Sequence, residues 1–330
     1  MKALILNQFN TPFELTDLPK PQISSQQVLI KVVASGINPI DLQIRAGMVP
    51  FAQVKLPNAV LGTDMSGIIT AVGKDVINFH VGEAVFGMAG GVAGIQGTLA
   101  EYVAADPALL AKKPDQLSFK EAASLPLYAI TAWEAIVERG AVRKRDSVLI
   151  QGGAGGVGHL AIQIAQARGA EVFATGTSKQ ADVIREFGAW PVDFESQSVQ
   201  DYVNELTGDL GFDMILDTVG GDVLEASFGA VKRYTGRVVS VSGWGAHSLT
   251  SLSFRGASFS GIFALYPLIS GVGRARQGKI LADVAMLVST GKLCPTVSDL
   301  DFPLEAIEEA YRYQEVKTEL GKVTVSVSNP

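Results

Sequence analysis

Residues 147–158, SVLIQGGAGGVG, constrain this chain more than any other stretch. An apolar β-type run (Val148, Leu149, Ile150) enters a glycine-dense turn, and a helical pattern begins at Val157, His159, Leu160 and Ile162. Gly153, Gly155 and Gly158 fit G-x-G-x-x-G, with Ala154 and Val157 between them and Gly156 as an extra glycine. In that pattern one glycine permits a tight turn, the next lets backbone reach a pyrophosphate, and the third lets helix and strand pack closely. The N–H groups and positive end of the helix then face the phosphates. Glycines alone would also suit an ordinary strand–helix turn. Here the strand before, the helix after and a second strand at 171–175 complete a βαβ unit, so the segment reads as a dinucleotide site.

The next strand end distinguishes the dinucleotides. An NAD site places Asp or Glu there, about twenty residues on, to accept from the ribose 2′-OH. This chain instead reads Thr175, Gly176, Thr177, Ser178, Lys179, with no carboxylate. Ser178 can donate to a 2′-phosphate and Lys179 can supply a point charge, which favours NADPH over NADH. A solvated lysine beside a serine cap is the plainer alternative.

The 330 residues suffice for two domains. A net charge of −6 without a basic block argues against nucleic acid as the main partner. Arg143, Lys144 and Arg145 read as a solvated helix C-terminus. The start, MKALILNQF, lacks a signal-peptide pattern and no apolar run reaches membrane-spanning length, so the expectation is a cytoplasmic protein without membrane partners. The single cysteine, Cys294, excludes an intrachain disulfide.

Short alternating runs at 2–6, 27–34, 64–72 and 83–86 make residues 1–122 a β-rich domain. Helical pattern follows from 118, interrupted at Pro126. Strands are then expected near 147–151, 171–175, 190–193, 212–216, 236–241 and 258–264, with helices near 157–168, 179–187, 198–207 and 222–230. That alternation gives an α/β fold with a doubly wound parallel sheet. The tail carries helices near 276–290 and 303–314 and a closing strand at 321–327, expected to rejoin the first sheet. The domains are therefore 1–122 with 266–330, and 123–265. The apolar stretch 258–273 reads as an edge strand and dimer contact, with a lid as the competing reading.

Several stretches carry a family resemblance: ASGINPIDLQIRAG (34–47), LGTDMSGIITAVGKDVINFHVGEAVFGM (61–88), GTLAEYV (97–103), LPLYAITAWEAI (125–136), the glycine turn, FDMILDTVGG (212–221) and GKVTVSV. On these the chain resembles the medium-chain dehydrogenase/reductase superfamily, in its zinc-free quinone oxidoreductase (zeta-crystallin-like) branch. The resemblance implies a GroES-like catalytic domain beside a Rossmann domain, and a homodimer. Zinc members place a Cys in the first segment and a His–Glu pair in the second. This chain has Asn38, then Thr63 and Asp64, and its histidines (80, 159, 247) are scattered, so no metal is expected.

Without a Lewis acid, hydride placement and hydrogen bonding must carry the chemistry. Suitable acceptors are already electrophilic: quinones or α,β-unsaturated carbonyl compounds. By resemblance Asn38 stands beside the nicotinamide ribose and donates to it or to a substrate oxygen, although an Asn before Pro39 also suits a plain turn. Asp41 braces that loop or caps a helix. Relatives' Tyr is replaced by Gln43, leaving Tyr128 as a candidate substitute. Thr131, Ser242 and Gly243 fall on the nicotinamide side and Thr218 and Val219 near the adenosine, with Phe263 at the sixth strand and Lys322 before the closing strand as further candidate cofactor contacts. Phe194 replaces a Tyr that relatives carry near the 2′-phosphate. Trp244 is an even candidate for the pocket wall. The expected enzyme is an NADPH-dependent, zinc-independent reductase of quinones or enones. The alternatives are an enoyl thioester reductase and a low-turnover NADPH-binding sensor or structural protein.

Overall fold

The computed structural model describes residues 1–317 and 319–330. The chain divides into two compact units, residues 1–127 with 264–330, and residues 128–263. Within the first unit the helix Phe119–Ser124 packs on the strands Val28–Gly36 and Asp64–Val72. Ser118 caps that helix: its hydroxyl accepts from the Glu121 N–H while the Glu121 carboxylate accepts from the Ser118 N–H. Pro126 then opens a second helix, Pro126–Trp133, which continues as a π-helical turn over Glu134–Arg139.

The first unit is built around the strand Val28–Gly36, whose apolar sequence is buried almost throughout. One edge pairs antiparallel with Asp64–Val72. Two short strands pair with its opposite halves, Tyr102–Ala105 along residues 28–31 and Thr324–Ser326 along 34–36. The tail thus rejoins the first sheet, with Val297 and Lys322 bridged just ahead of it. Val28, Ile30, Val32, Met65, Ile69, Phe79 and Val85 form the core. The helix Pro39–Arg45 has Pro at its first position, Asp41 in its first turn and Arg45 in its last, matching the helix dipole at both ends. Short strands such as Glu14–Asp17 and Leu110–Lys112 escape the sequence pattern because three or four residues show no periodicity.

The second unit holds a six-stranded parallel sheet. Its spatial order is Trp190–Asp193, Glu171–Gly176, Ser147–Gln151, Met214–Asp217, Arg237–Ser240, Ser258–Gly261. In chain order that is 3-2-1-4-5-6, the doubly wound arrangement whose order reverses beside the first strand. Phe173, Tyr202, Phe212, Ile215 and Phe228 fill one face. The helix Val199–Thr207 starts at a Ser198–Asp201 capping box and ends at left-handed Gly208.

Two expectations need correction. The last strand stops at Gly261, and residues 266–270 form a helix, Tyr266–Ser270, with Pro267 in its first turn and left-handed Gly271 at its end. Arg143, Lys144 and Arg145 do not end a helix. The preceding helix closes at Gly140, and Arg145 adopts φ 72° in an exposed turn. No helix among the described residues is long and apolar enough to cross a membrane.

Candidate active site

In the second unit a cavity of about 590 Å³ opens at the carboxyl ends of the sheet strands. It lies where the strand order reverses, with Gln151, Gly152 and Gly155 on one side and Thr218 and Val219 on the other. Gly152 takes the turn at φ 75°. A Cβ at Gly158 would lie 2.2 Å from the Gly152 carbonyl oxygen, so this glycine permits the close helix–strand contact. Gly155 is exposed to the cavity, presenting bare backbone. Gly156 has a different reason to be glycine: a Cβ there would lie 2.3 Å from the Tyr128 ring. Tyr128 is thus a packing neighbour of the turn. These residues fit a nucleotide's phosphates and sugar.

Several residues that line the cavity do so as braces. Thr175 is buried, accepts from the Gly152 N–H at 2.9 Å and donates to Gln151 Oε1 at 2.9 Å. Its single hydroxyl proton is spent, so it shapes the turn and has none to donate to a ligand. Thr218 donates to the Gln151 carbonyl oxygen at 2.7 Å, and Ser242 donates to the Thr218 carbonyl oxygen at 3.3 Å. Buried Asp217 accepts from the Val219 and Gly220 N–H groups and from Ser240. Thr177 caps the short turn Ser178–Gln180, donating its N–H to Gln180 Oε1. Ser178 and Lys179 are exposed on that turn, whereas Gln180, Phe194 and Gln197 reach the cavity wall. Gly243 follows the fifth strand; Phe263 is 37% exposed, Trp244 is exposed and Thr131 is buried.

Gln151, Tyr202 and Asp217 were missed by sequence reasoning. Burial raises the Tyr202 hydroxyl pKa, opposed by its hydrogen bond with Gln151. The available signal was a polar residue closing an otherwise apolar strand, Gln151 after VLI and Asp217 after MIL.

The first unit holds a sealed polar cluster. Asn38, Thr63 and Asp64 are fully buried and Lys322 is 2% exposed. Asn38 Nδ2 donates to Thr63 Oγ1 and to Asp64 Oδ2, each at 3.1 Å. The Lys322 ammonium donates to Asn38 Oδ1 at 2.5 Å and to Asp64 Oδ2 at 2.7 Å. The Leu127 N–H donates to both Asp64 oxygens. Asp41 Oδ2 accepts from the Asn38 N–H at 2.8 Å, holding the start of the helix Pro39–Arg45. Burial is the main cause raising the Asp41 pKa to about 7, with Asp64 adding repulsion. The Asn38 amide and the Lys322 ammonium are committed to protein partners and turn no surface to a ligand.

Comparison with known proteins agrees with both units. Residues 24–115 match the family described as alcohol dehydrogenase GroES-like domain, and residues 156–270 match the one described as zinc-binding dehydrogenase. A crystal structure of an alcohol dehydrogenase superfamily protein from Novosphingobium aromaticivorans is 47% identical, with a TM-score of 0.96 over 99% of this chain and 100% of that one. The quinone oxidoreductase from Coxiella burnetii is 31% identical over 99% of each chain, with a TM-score of 0.83. A chloroplastic NADPH-dependent alkenal/one oxidoreductase of Arabidopsis thaliana is 32% identical over 92% of this chain and 73% of its own length. The chain belongs to the medium-chain dehydrogenase/reductase superfamily, in its quinone oxidoreductase-like branch. The chain also matches a highly reducing polyketide synthase of Aureobasidium melanogenum at 28% identity, spanning 14% of that protein's length.

This medium-chain oxidoreductase departs from the zinc-binding description at the donor atoms. Zinc takes thiolate, imidazole or carboxylate ligands in a tetrahedron. Asn38, Thr63 and Asp64 offer an amide, an alcohol and one carboxylate, and a lysine ammonium stands against two of them. Zinc does not fit this set. Among the described residues, no cluster of three His, Cys, Asp or Glu could hold a metal.

Proposed function

We propose that this chain is an NADPH-dependent, zinc-independent reductase that delivers hydride to quinones or to the C=C bond of α,β-unsaturated carbonyl compounds. NADPH, when bound, supplies the hydride from its nicotinamide C4. The observation carrying the reading is the donor set at Asn38, Thr63 and Asp64, which leaves acceptor activation to hydrogen bonding and favours acceptors that are already electrophilic. The named activities of the Coxiella and Arabidopsis relatives support the same acceptor classes.

In this reading the Gly152–Gly158 turn receives the pyrophosphate, and Thr218 and Val219 bound the adenosine side. Ser178 and Lys179, exposed and without a neighbouring acid on their turn, meet the 2′-phosphate. Ser242, Gly243, Thr131 and Phe263 serve the nicotinamide side. Asn38 and Asp41 act by positioning. The protein works in the cytoplasm as a homodimer, using the exposed Ser258–Gly261 edge.

The test follows NADPH and NADH absorbance against 1,4-benzoquinone, 9,10-phenanthrenequinone, an alkenal, an enone and crotonyl-CoA, with EDTA present. NADPH-selective turnover of a quinone or enone that survives chelation is the expected result. Preference for crotonyl-CoA would assign an enoyl thioester reductase, and tight binding without turnover a sensor or structural role.

A further inference from the structure

The first unit buries a full positive charge with no opening to solvent. The Lys322 and Asp64 side chains are 1% and 0% exposed. A lone buried ammonium is strongly disfavoured, so the fold must supply acceptors for it. It does so with the Asn38 amide oxygen and the Asp64 carboxylate, while the Asn38 amide nitrogen ties Thr63 and Asp64 into the same group. The lysine is delivered by backbone built for the purpose. Its N–H donates to the Thr296 carbonyl oxygen at 2.9 Å, and its own carbonyl oxygen accepts from the Ser298 N–H at 3.0 Å. Next to it, the Val323 carbonyl oxygen accepts from the Ile37 N–H, tying the tail to the residue before Asn38. At Gly36 a Cβ would lie 2.3 Å from the Ala123 carbonyl oxygen and 3.2 Å from Lys322 Cε, so the glycine admits both neighbours.

By the resemblance these are the positions at which zinc members carry metal ligands, yet here the Asp64 carboxylate already faces the Lys322 ammonium. One carboxylate faces one ammonium. A divalent ion added beside Lys322 would put three positive charges against Asp64, with oxygen donors that suit zinc poorly. An ammonium makes different demands, needing only acceptors spread around a small cation.

We propose that Asn38 Oδ1 and Asp64 Oδ2, tied in place by Thr63, form a cation site which the Lys322 ammonium fills as a tethered cation, and that small primary alkylammonium ions bind there when the tether is removed. The chain thereby supplies its own cation, and the site is closed to metals. This inference does not rest on the reductase reading, because its readout is thermal stability.

The experiment uses the full chain. Lys322→Ala deletes the stem beyond Cβ, and propylammonium matches what is lost. Lys322→Ala is expected to lower the melting temperature by on the order of 10 °C. Propylammonium should then raise it with a saturable, logarithmic dependence on concentration. Propanol, equal in shape without the charge, should not. Wild type and Lys322→Met, in which the space is filled, should not respond to propylammonium, and wild type should not be stabilised by Zn²⁺.

Equal rescue by propanol would reduce the site to a cavity, and stabilisation of wild type by Zn²⁺ would overturn closure to metals. Where Lys322→Ala does not fold, Lys322→Met combined with Asp64→Leu provides the second measurement. Loss of both charges should destabilise less than the sum of the single changes. Additive losses would overturn the proposal.

Discussion

The two units treat their polar groups in opposite ways. In the first, Asn38, Asp41, Asp64 and Lys322 are 0–2% exposed and satisfy one another. In the second, the polar strand ends surround an open cavity of about 590 Å³, where Gly155 exposes backbone and Val219 is 55% exposed. The sealed cluster fixes geometry, since every member is held by another. The open one has room for a ligand because its braces, Thr175, Thr218 and Asp217, hold the backbone without filling the space. One cluster is thus closed by its own hydrogen bonds, and the other leaves backbone open to the cavity.

The largest effect should separate the units. Asp64→Leu removes the carboxylate that faces the Lys322 ammonium and should cost about 3–5 kcal/mol of stability. Hydrogen exchange should quicken in the strand Val28–Gly36 while protection of Ser147–Gln151 is unchanged. Equal loss in both strands would break the comparison.

Asp41 gives a pH signature. Its pKa rises in the fold from 3.8 to about 7. Above pH 4 the unfolded chain releases this proton while the folded chain keeps it. The contribution is therefore complete below about pH 4 and is lost as pH rises through about 7. Asp41→Asn should flatten that part of the stability–pH curve, by on the order of 4 kcal/mol across the window. An unchanged curve in a urea-unfolding series would show that Asp41 is ionised in the fold.

Gly158→Ala should act in the other unit. Its Cβ meets the Gly152 carbonyl oxygen at 2.2 Å, so the turn must shift. Dinucleotide affinity should fall about tenfold or more, equivalent to at least about 1.4 kcal/mol. Fluorescence titration measures it, and normal affinity would remove the turn from the binding site. The smallest effect is expected at Lys179, an exposed side chain. Lys179→Ala should weaken NADPH binding about fivefold or less and leave NADH binding unchanged, as solvent screening dictates. Equal losses for both would discard the 2′-phosphate contact.

Much of this was legible in the sequence where the signal is local. The strand Ser147–Gln151, the glycine turn and the alternation after it follow from periodicity and from φ-permissive residues in adjacent positions. The sealed cluster was legible only in part. Asn38, Thr63 and Asp64 stood out as substitutions at ligand positions, but Lys322 lies 284 residues beyond Asn38 and gave no local sign of its partner. The extra glycine, Gly156, had no visible reason in the sequence, since the Tyr128 ring that a Cβ there would meet comes from another element. The apolar run at 258–264 looked longer as a strand than the Ser258–Gly261 that pairs, because pairing ends where the neighbouring strand does.

The sequence by itself determined the βαβ periodicity, the glycine turn and the residue types at 38, 63 and 64, where no Cys or His stands, all properties of residue type and near spacing. Tertiary structure alone decided which of those residues are already hydrogen-bonded within the fold. Asn38 and Lys322 became each other's partners, and Thr175 became a brace, because a hydrogen-bonding group far along the chain reached them first. A side chain's chemistry is local, but its availability depends on what the fold packs against it.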